Sequence, residues 1–274
     1  MNVNRRQMLG IMGGAVAVGL GAGALGVGTQ SAQAAAPAAE NTWGWTPRIL
    51  DPQETRIRAR EGFYHKGMGC GYGAFHSIVG TMAERYGAPY NTFPFFMMEM
   101  GKSGVSNWGS LCGALLGAAA AMALFWPSKE RDPMVDELFR WYETTAFPVF
   151  TPPKDTKVGF TDKIDTSVSD SILCHLSVSR WAYKTGNTPD GKVRSERCGR
   201  LTADVAGKTV EIMNAKINGT FQKTAVFSDT YKTCTDGCHG PTKEFASPTL
   251  KGKMDCTPCH TGSEHVQNKL INHP

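Results

Sequence analysis

The helical character of this chain is clearest in LCGALLGAAAAMALF, residues 111–125. Alanine and leucine, both strong helix formers, make up most of this stretch. Gly113 and Gly117 interrupt it one turn apart, and their missing side chains would let a neighbouring element approach closely. The stretch therefore predicts a buried core helix.

Apolar residues at helical spacing predict three more helices, at residues 73–85, 170–184 and 198–214. Gly186 would end the second of them. Residues 147–165 are rich in Pro, Lys and Thr and are typical of a connecting loop. The expected fold class is mainly α, with a helical, cysteine-rich domain over residues 55–219.

The C-terminal part of the chain contains Cys256-Thr257-Pro258-Cys259-His260. The pattern Cys-x-x-Cys-His is the attachment signature of c-type haem, in which two thiols bind the porphyrin covalently and the histidine is the proximal iron ligand. A Cys-x-x-Cys pair alone is also found in zinc knuckles and redox dithiols. The adjoining His260 favours haem.

A related motif lies just upstream, where Cys234 and Cys238 are separated by three residues and followed by His239. An Asp-Gly pair between the thiols supplies the backbone freedom that the longer loop requires. A disulfide or half of a zinc site is the alternative. Beside a standard motif, we interpret this one as a second haem site with His239 as proximal ligand.

The sequence around these motifs predicts a small, irregular segment over residues 220–274. Residues 220–233 are expected to form a small hairpin. Residues 234–274 contain too few aliphatic side chains to fold alone, so two haem c groups would form the core of the segment.

The N-terminus has the form of a bacterial export signal. Residues 4–9 form a twin-arginine region, residues 10–28 are apolar and rich in Gly and Ala, and an Ala-x-Ala site ends at Ala34. An uncleaved membrane anchor is the alternative, but the glycines make the stretch weakly apolar. We expect a signal peptide over residues 1–34, a leader over residues 35–54, and a periplasmic protein without a membrane span.

The charge balance argues against nucleic-acid binding. Cleavage after Ala34 removes Arg5 and Arg6 but no acidic residue, so the formal net charge falls from +5 to +3. The haem propionates would lower it further. Because the twin-arginine route carries folded proteins, it also hints at a cofactor inserted before export.

Four cysteines remain outside the haem motifs: Cys70, Cys112, Cys174 and Cys198. Four thiolates are the ligand set of an iron–sulfur cluster. Glycines flank Cys70 and follow Cys112, which leaves room for a cofactor. Two disulfides in an oxidising compartment, or a zinc site, are the alternatives.

The blocks around these cysteines resemble a known family. They are Gly67-Met68-Gly69-Cys70, residues 108–117, Ser171-Ile172-Leu173-Cys174 and Arg197-Cys198-Gly199. They look like the ordered cysteine blocks of the C_GCAxxG_C_C redox proteins. Joined to a C-terminal dihaem segment, they resemble the split-Soret cytochromes c of sulfate-reducing bacteria, over residues 55–274. The chain departs from the simpler pattern because no second thiol follows Cys70 closely.

The resemblance implies a homodimer with two stacked haems per subunit, bis-histidine ligation and one ligand contributed across the dimer interface. It also implies that Cys70, Cys112, Cys174 and Cys198 hold an iron–sulfur cluster, of the [2Fe-2S] type. The body of such proteins is α-helical.

A haem that only transfers electrons needs a sixth ligand. The candidates for the distal ligands are His65, His76, His175 and His265, while His273 lies beside the terminal proline. Methionine is the alternative ligand type, and Met97, Met98 and Met100 are clustered, although such a group more often fills a core.

These patterns predict a periplasmic electron-transfer protein rather than an enzyme, with redox proteins as partners. Lysines of the haem segment would help docking, namely Lys232, Lys243, Lys251 and Lys253. The alternatives are a small multihaem reductase acting on an oxidised nitrogen or sulfur compound, and a cluster-bearing sensor or storage protein. A reductase needs an open haem position beside acid or base groups, and the sequence shows no compact constellation of this kind.

Overall fold

The first helix begins at a capped position. The Asp51 carboxylate accepts a hydrogen bond from the Glu54 amide at 2.6 Å, and Pro52 is the first helical residue. Both features favour helix initiation. The computed structural model describes residues 43–238, 240, 242 and 252–255.

The described part of the chain is mainly helical, which confirms the predicted fold class. The α-helices are α1 (Pro52–Tyr64), α2 (Gly69–Phe75), α3 (Thr81–Tyr86), α4 (Gly113–Ala123), α5 (Ser128–Thr144), α6 (Cys174–Thr185), α7 (Lys192–Ile217) and α8 (Asp229–Lys232). A π-helical turn, His76–Gly80, joins α2 to α3, and another, Thr233–Cys238, follows α8. Single turns of 3₁₀-helix occur at His65–Gly67, Tyr90–Thr92 and Val105–Asn107, with a longer one at Phe95–Gly101.

Two short strands flank the long loop. Strand β1 (Ala146–Phe147) pairs antiparallel with β2 (Ser167–Val168), with Ala146 opposite Val168 and Phe147 opposite Ser167. The residues between them lack regular structure, as the sequence predicts. The buried Asp204 carboxylate holds the start of this loop by accepting hydrogen bonds from the amides of Val149 and Phe150, both at 2.8 Å.

Helix α7 lies at the centre of the core and packs against α1, α2, α4 and α5. Leu201, Val205 and Ile212 are buried on it, as the helical spacing predicts. The helix is longer than expected, because it begins at Lys192 and ends at Ile217.

Glycines allow α2 and α4 to lie very close together. A Cβ atom at Gly117 would collide with the carbonyl oxygen of Gly71, and one at Gly113 would collide with that of Gly101. The close approach expected from residues 111–125 is therefore confirmed, and it places Cys112 and Cys70 in neighbouring elements.

The spacing of apolar residues does not predict two of the helices, α1 and α5. Helix α1 is polar, and its most deeply buried large side chain is Arg60, which pairs with Glu196. Helix α5 contains Pro133, but Met134, Leu138 and Tyr142 follow it at four-residue spacing and are fully buried. The helix expected over residues 170–184 begins only at Cys174 and ends, as predicted, at Gly186 in a left-handed conformation.

The hairpin expected over residues 220–233 is wrong. Residues 220–228 contain no strand, and the segment continues into α8. Side chains of α5 take the place of a partner strand, since Glu137 accepts hydrogen bonds from the amides of Thr224 and Ala225, and Arg140 donates to the carbonyl of Val226.

The chain joins the helical body earlier than the predicted domain start at residue 55. The Trp45 amide donates to the Leu124 carbonyl at 2.7 Å, and Leu50 is buried. Within the described residues, no helix has the length and apolar character needed to cross a membrane. The predicted signal peptide, with its cleavage site after Ala34, lies outside these residues.

Candidate metal centre

The four lone cysteines lie in, or directly before, four different helices. Cys70 lies in the first turn of α2, Cys112 immediately precedes α4, Cys174 is the first residue of α6, and Cys198 lies within α7. Cys70, Cys174 and Cys198 line one cavity, and the Cys112 segment is hydrogen-bonded to the Cys174 segment, so the helices bring the four cysteines into one region.

Backbone hydrogen bonds tie two of the cysteine segments together. The Cys112 amide donates to the carbonyl of Ile172 at 2.9 Å, and the Cys174 amide donates to the carbonyl of Ser110 at 2.7 Å. The segments before α4 and α6 therefore run side by side, and the positions of Cys112 and Cys174 are fixed relative to each other.

Thr202 links the other two cysteines. Its hydroxyl donates to the Cys198 carbonyl at 2.8 Å, and its side chain lies beside the Cys70 thiol. Gly113 leaves space beside Cys70, because a Cβ atom there would lie 3.2 Å from the Cys70 Cβ. This glycine brings the start of α4 against the Cys70 side of the site.

Burial makes the thiolate form costly in this region. Cys70, Cys112 and Cys198 are buried, and Cys174 is partly exposed. Burial, reinforced by the neighbouring cysteines, raises the pKa of Cys70 and that of Cys112, and it raises the pKa of Cys174 to about 12. A bound metal would supply the positive charge that holds such thiols as thiolates.

The donor set fits an iron–sulfur cluster better than the alternatives. All four cysteines are free thiols, so the two-disulfide alternative does not occur here. In the described part of the chain, no three His, Cys, Asp or Glu side chains are placed to hold a single metal ion. A cluster separates its ligands more widely than one tetrahedral zinc ion does, because they bind different irons.

A cavity of about 570 Å³ opens beside the cysteines and is lined by Cys70, Cys174 and Cys198. The charged residues among its described lining are Lys102 and Arg194, and no carboxylate occurs there. A positive lining suits the negative charge of a thiolate-bound cluster.

Sequence reasoning missed a buried polar group behind Cys112. The Tyr142 hydroxyl lies beside the Cys112 thiol and donates a hydrogen bond of 3.0 Å to Ser177 Oγ. Arg197 donates to the same Ser177 oxygen at 2.8 Å. Arg197 directly precedes Cys198, and this adjacency is the feature of the sequence that could have indicated the buried polar group.

The candidate distal histidines are placed differently. His65 is exposed and stacks on Tyr72, with ring centroids 5.8 Å apart. His76 also stacks on Tyr72, with ring centroids 4.8 Å apart, and it contacts Phe95 edge-on, with ring centroids 5.0 Å apart. Burial lowers the pKa of His76 below its ordinary value.

His175 is exposed and lines the cavity next to Cys174. His265 and His273 lie outside the described residues, so the positions of only His65, His76 and His175 can be compared. Of the clustered methionines, Met98 is buried, whereas Met97 and Met100 are exposed.

The haem motifs fall largely outside the described residues. Cys234 and Cys238 lie on the π-helical turn Thr233–Cys238, and only their backbone is described. His239, Cys256, Cys259 and His260 lie outside, so their assignment stays a prediction.

Three comparisons with known proteins bear on this site. Residues 72–212 match the family described as putative redox-active protein (C_GCAxxG_C_C). This range contains Cys112, Cys174 and Cys198, and it begins two residues after Cys70. It therefore covers the part of the chain that builds most of the cysteine site.

A curated relative, the split-Soret cytochrome c of Desulfovibrio desulfuricans (strain ATCC 27774 / DSM 6949 / MB), is 48% identical over 285 residues and covers 100% of both chains. A solved structure that reports a novel iron centre in the split-Soret cytochrome c of Desulfovibrio desulfuricans ATCC 27774 has a TM-score of 0.76 and 51% identity, over 84% of this chain and 95% of that one. Both similarities extend well beyond the cysteine domain.

Proposed function

Because this chain belongs to the split-Soret cytochrome c family, we propose that it is a periplasmic electron-transfer protein containing an iron–sulfur cluster and two haem c groups. The observation that carries this proposal is the convergence of Cys70, Cys174 and Cys198 on one cavity, with Cys112 held by backbone hydrogen bonds against the segment that contains Cys174. The family relationship supports haem and iron in a redox role.

In this proposal the four cysteines hold a [2Fe-2S] cluster, which supplies one-electron redox chemistry when it is bound. Cys256, Cys259 and His260 hold one haem, and Cys234, Cys238 and His239 hold the other. Distal ligands come from His65, His76, His175 or His265, and the exposed His65 and His175 are better placed than the packed His76.

The protein surroundings perform three tasks. The burial of Cys70, Cys112 and Cys198 limits the access of water to these residues. The side chains of Tyr142 and Thr202 lie beside the thiols of Cys112 and Cys70, respectively. The positive Lys102 and Arg194 line the cavity that opens to the surface, and they favour negative charge there.

We also propose that the mature protein is a homodimer exported by the twin-arginine pathway. The export signal over residues 1–34 supports the periplasmic location, and the family resemblance supports the dimer. Light scattering of the mature, haem-loaded protein would give twice the chain mass if the dimer forms, and the single chain mass would contradict it.

The cysteine assignment is tested with Cys174→Ser, because this thiol reaches the cavity and is the least buried of the four. Ser179→Ala, a change in the same cavity lining, is the matched control. Non-haem iron and the electron paramagnetic resonance signal of the reduced cluster are measured after anaerobic purification. We expect both to fall strongly in Cys174→Ser and to be retained in Ser179→Ala; equal iron in the two variants would exclude Cys174 as a ligand.

A further inference from the structure

Arg197 is a buried cation without an ionic partner in the described part of the chain. It is 1% exposed on α7, and its Nη2 donates to Ser177 Oγ at 2.8 Å. Its Nε finds no hydrogen-bond partner among the described residues, and no ion pair to it occurs there.

Other buried arginines near it are neutralised. Arg60 pairs with Glu196 at 2.8 Å, and Arg200 pairs with the same carboxylate at 2.7 Å. Glu196 precedes Arg197 directly on α7, yet its oxygens serve Arg60, Arg200 and Tyr64 instead. The fold therefore supplies a carboxylate to two buried guanidinium groups and none to Arg197.

An uncompensated buried charge is costly, so Arg197 requires a negative group nearby. Asp204, two turns further along α7, interacts with it electrostatically, but the Asp204 oxygens accept hydrogen bonds from Val149 and Phe150. The cysteine site is the remaining group that can balance the positive charge of Arg197, since Arg197 adjoins Cys198 and interacts electrostatically with Cys174.

A chain of hydrogen bonds also leads from Arg197 to the site. A guanidinium only donates and a metal-bound thiolate only accepts. Arg197 donates to Ser177 Oγ, and the hydroxyls of Ser177 and Tyr142 lie 3.0 Å apart, with Tyr142 beside Cys112. A thiolate at Cys112 would orient both hydroxyls toward it, so that Ser177 donates to Tyr142 and Tyr142 donates to Cys112.

We propose that Arg197 is the built-in counter-charge of the anionic cluster and that Tyr142 and Ser177 transmit its polarisation to the Cys112 sulfur. This inference rests on the proposed function. The reduced cluster carries one more negative charge than the oxidised one, so a fixed buried cation stabilises the reduced form more. Arg197 thereby raises the reduction potential of the cluster.

The test is a redox titration of the haem- and cluster-loaded protein, followed by the cluster signal in electron paramagnetic resonance. Arg197→Met is compared with Arg180→Met as the control. The control also removes one arginine charge, but from a more exposed side chain that pairs with Asp170 and lies near Cys174 in the sequence. At a fixed potential we expect the reduced-to-oxidised ratio to fall at least tenfold in Arg197→Met, a shift of about 59 mV for one electron. Arg180→Met should remain near the wild-type value.

Two conservative variants keep the test decisive if Arg197→Met folds poorly. Arg197→Lys retains the charge and should stay close to the wild type. Tyr142→Phe removes the hydrogen bond to Cys112 and should lower the potential in the same direction as Arg197→Met, by less. Equal potentials in the wild type, Arg197→Met and Tyr142→Phe would overturn this proposal alone, whereas wild-type protein without non-haem iron would overturn the proposed function with it.

Discussion

Lys253 Nζ lies 2.7 Å from Asp136 Oδ1, so the chain between the two haem motifs returns to helix α5. The other oxygen of Asp136 accepts a bond from Lys223 Nζ at 2.8 Å. Lys223 precedes the first haem motif and Lys253 follows it, so one carboxylate holds both ends of the segment that carries this motif. Lys253 is thus paired within the chain, and Lys232 pairs with Asp229, so two of the lysines predicted to help docking already form ion pairs in the described part of the chain.

Asp136→Asn should loosen this attachment, because a neutral amide cannot form an ion pair with either lysine. Hydrogen exchange at the amides of Thr224 and Ala225, which are bonded to the neighbouring Glu137, should become severalfold faster. Glu130→Gln, on the same helix but paired with Lys216, is the control and should leave these amides unchanged. Identical exchange in both variants would show that Asp136 does not anchor the segment.

The same attachment should depend on pH. Burial favours protonation of Asp136, but Lys223 and Lys253 outweigh this effect and hold its pKa below the ordinary value of 3.8. A lowered folded pKa adds stability above the unfolded pKa, and the contribution is lost as the pH falls through the folded value. The protection of the Thr224 and Ala225 amides, taken relative to the exchange rate of an unstructured peptide at the same pH, should therefore decrease below about pH 4 in the wild type and change less in Asp136→Asn. A parallel pH profile in the two proteins would contradict this explanation.

Glu196→Gln should destabilise the helical body strongly. The Glu196 side chain is fully buried, and replacing its carboxylate with a neutral amide leaves Arg60 and Arg200 without an anionic partner. Breaking a buried pair costs about 3–5 kcal/mol. Glu84→Gln, in the exposed pair with Arg58, should cost about 0–1 kcal/mol. Urea unfolding of both variants gives the two free energies of unfolding, and equal values would show that Glu196 is not a structural centre.

The carrier and reductase hypotheses differ in haem ligation. If both haems have histidine on each side of the iron, carbon monoxide should leave the spectrum of the reduced protein unchanged at neutral pH. A reductase requires one haem with an open position. Rapid formation of a carbon monoxide complex by one haem per chain would favour the reductase.

The sequence predicted the helices whose apolar residues repeat cleanly, because burial of one face is a local pattern. Leu201, Val205 and Ile212 on α7 are an example. It failed for α1, where the buried side chain is a charged arginine, Arg60, whose partner lies on α7. Such a helix is recognisable only once the tertiary partner is known.

The candidate site shows the same division. Counting cysteines located Cys70, Cys112, Cys174 and Cys198, and the structure brings them together. The connection from Arg197 through Ser177 and Tyr142 joins three helices that are distant in sequence. No spacing rule predicts that connection, because it depends on how α5, α6 and α7 pack.

The central claim is that one chain carries two haems and a separate iron centre. The most direct measurement is the ratio of total iron to covalently bound haem in the anaerobically purified mature protein. We predict two haems per chain and two further iron atoms that are lost in Cys174→Ser. Iron equal to the haem content in the wild type would contradict the account.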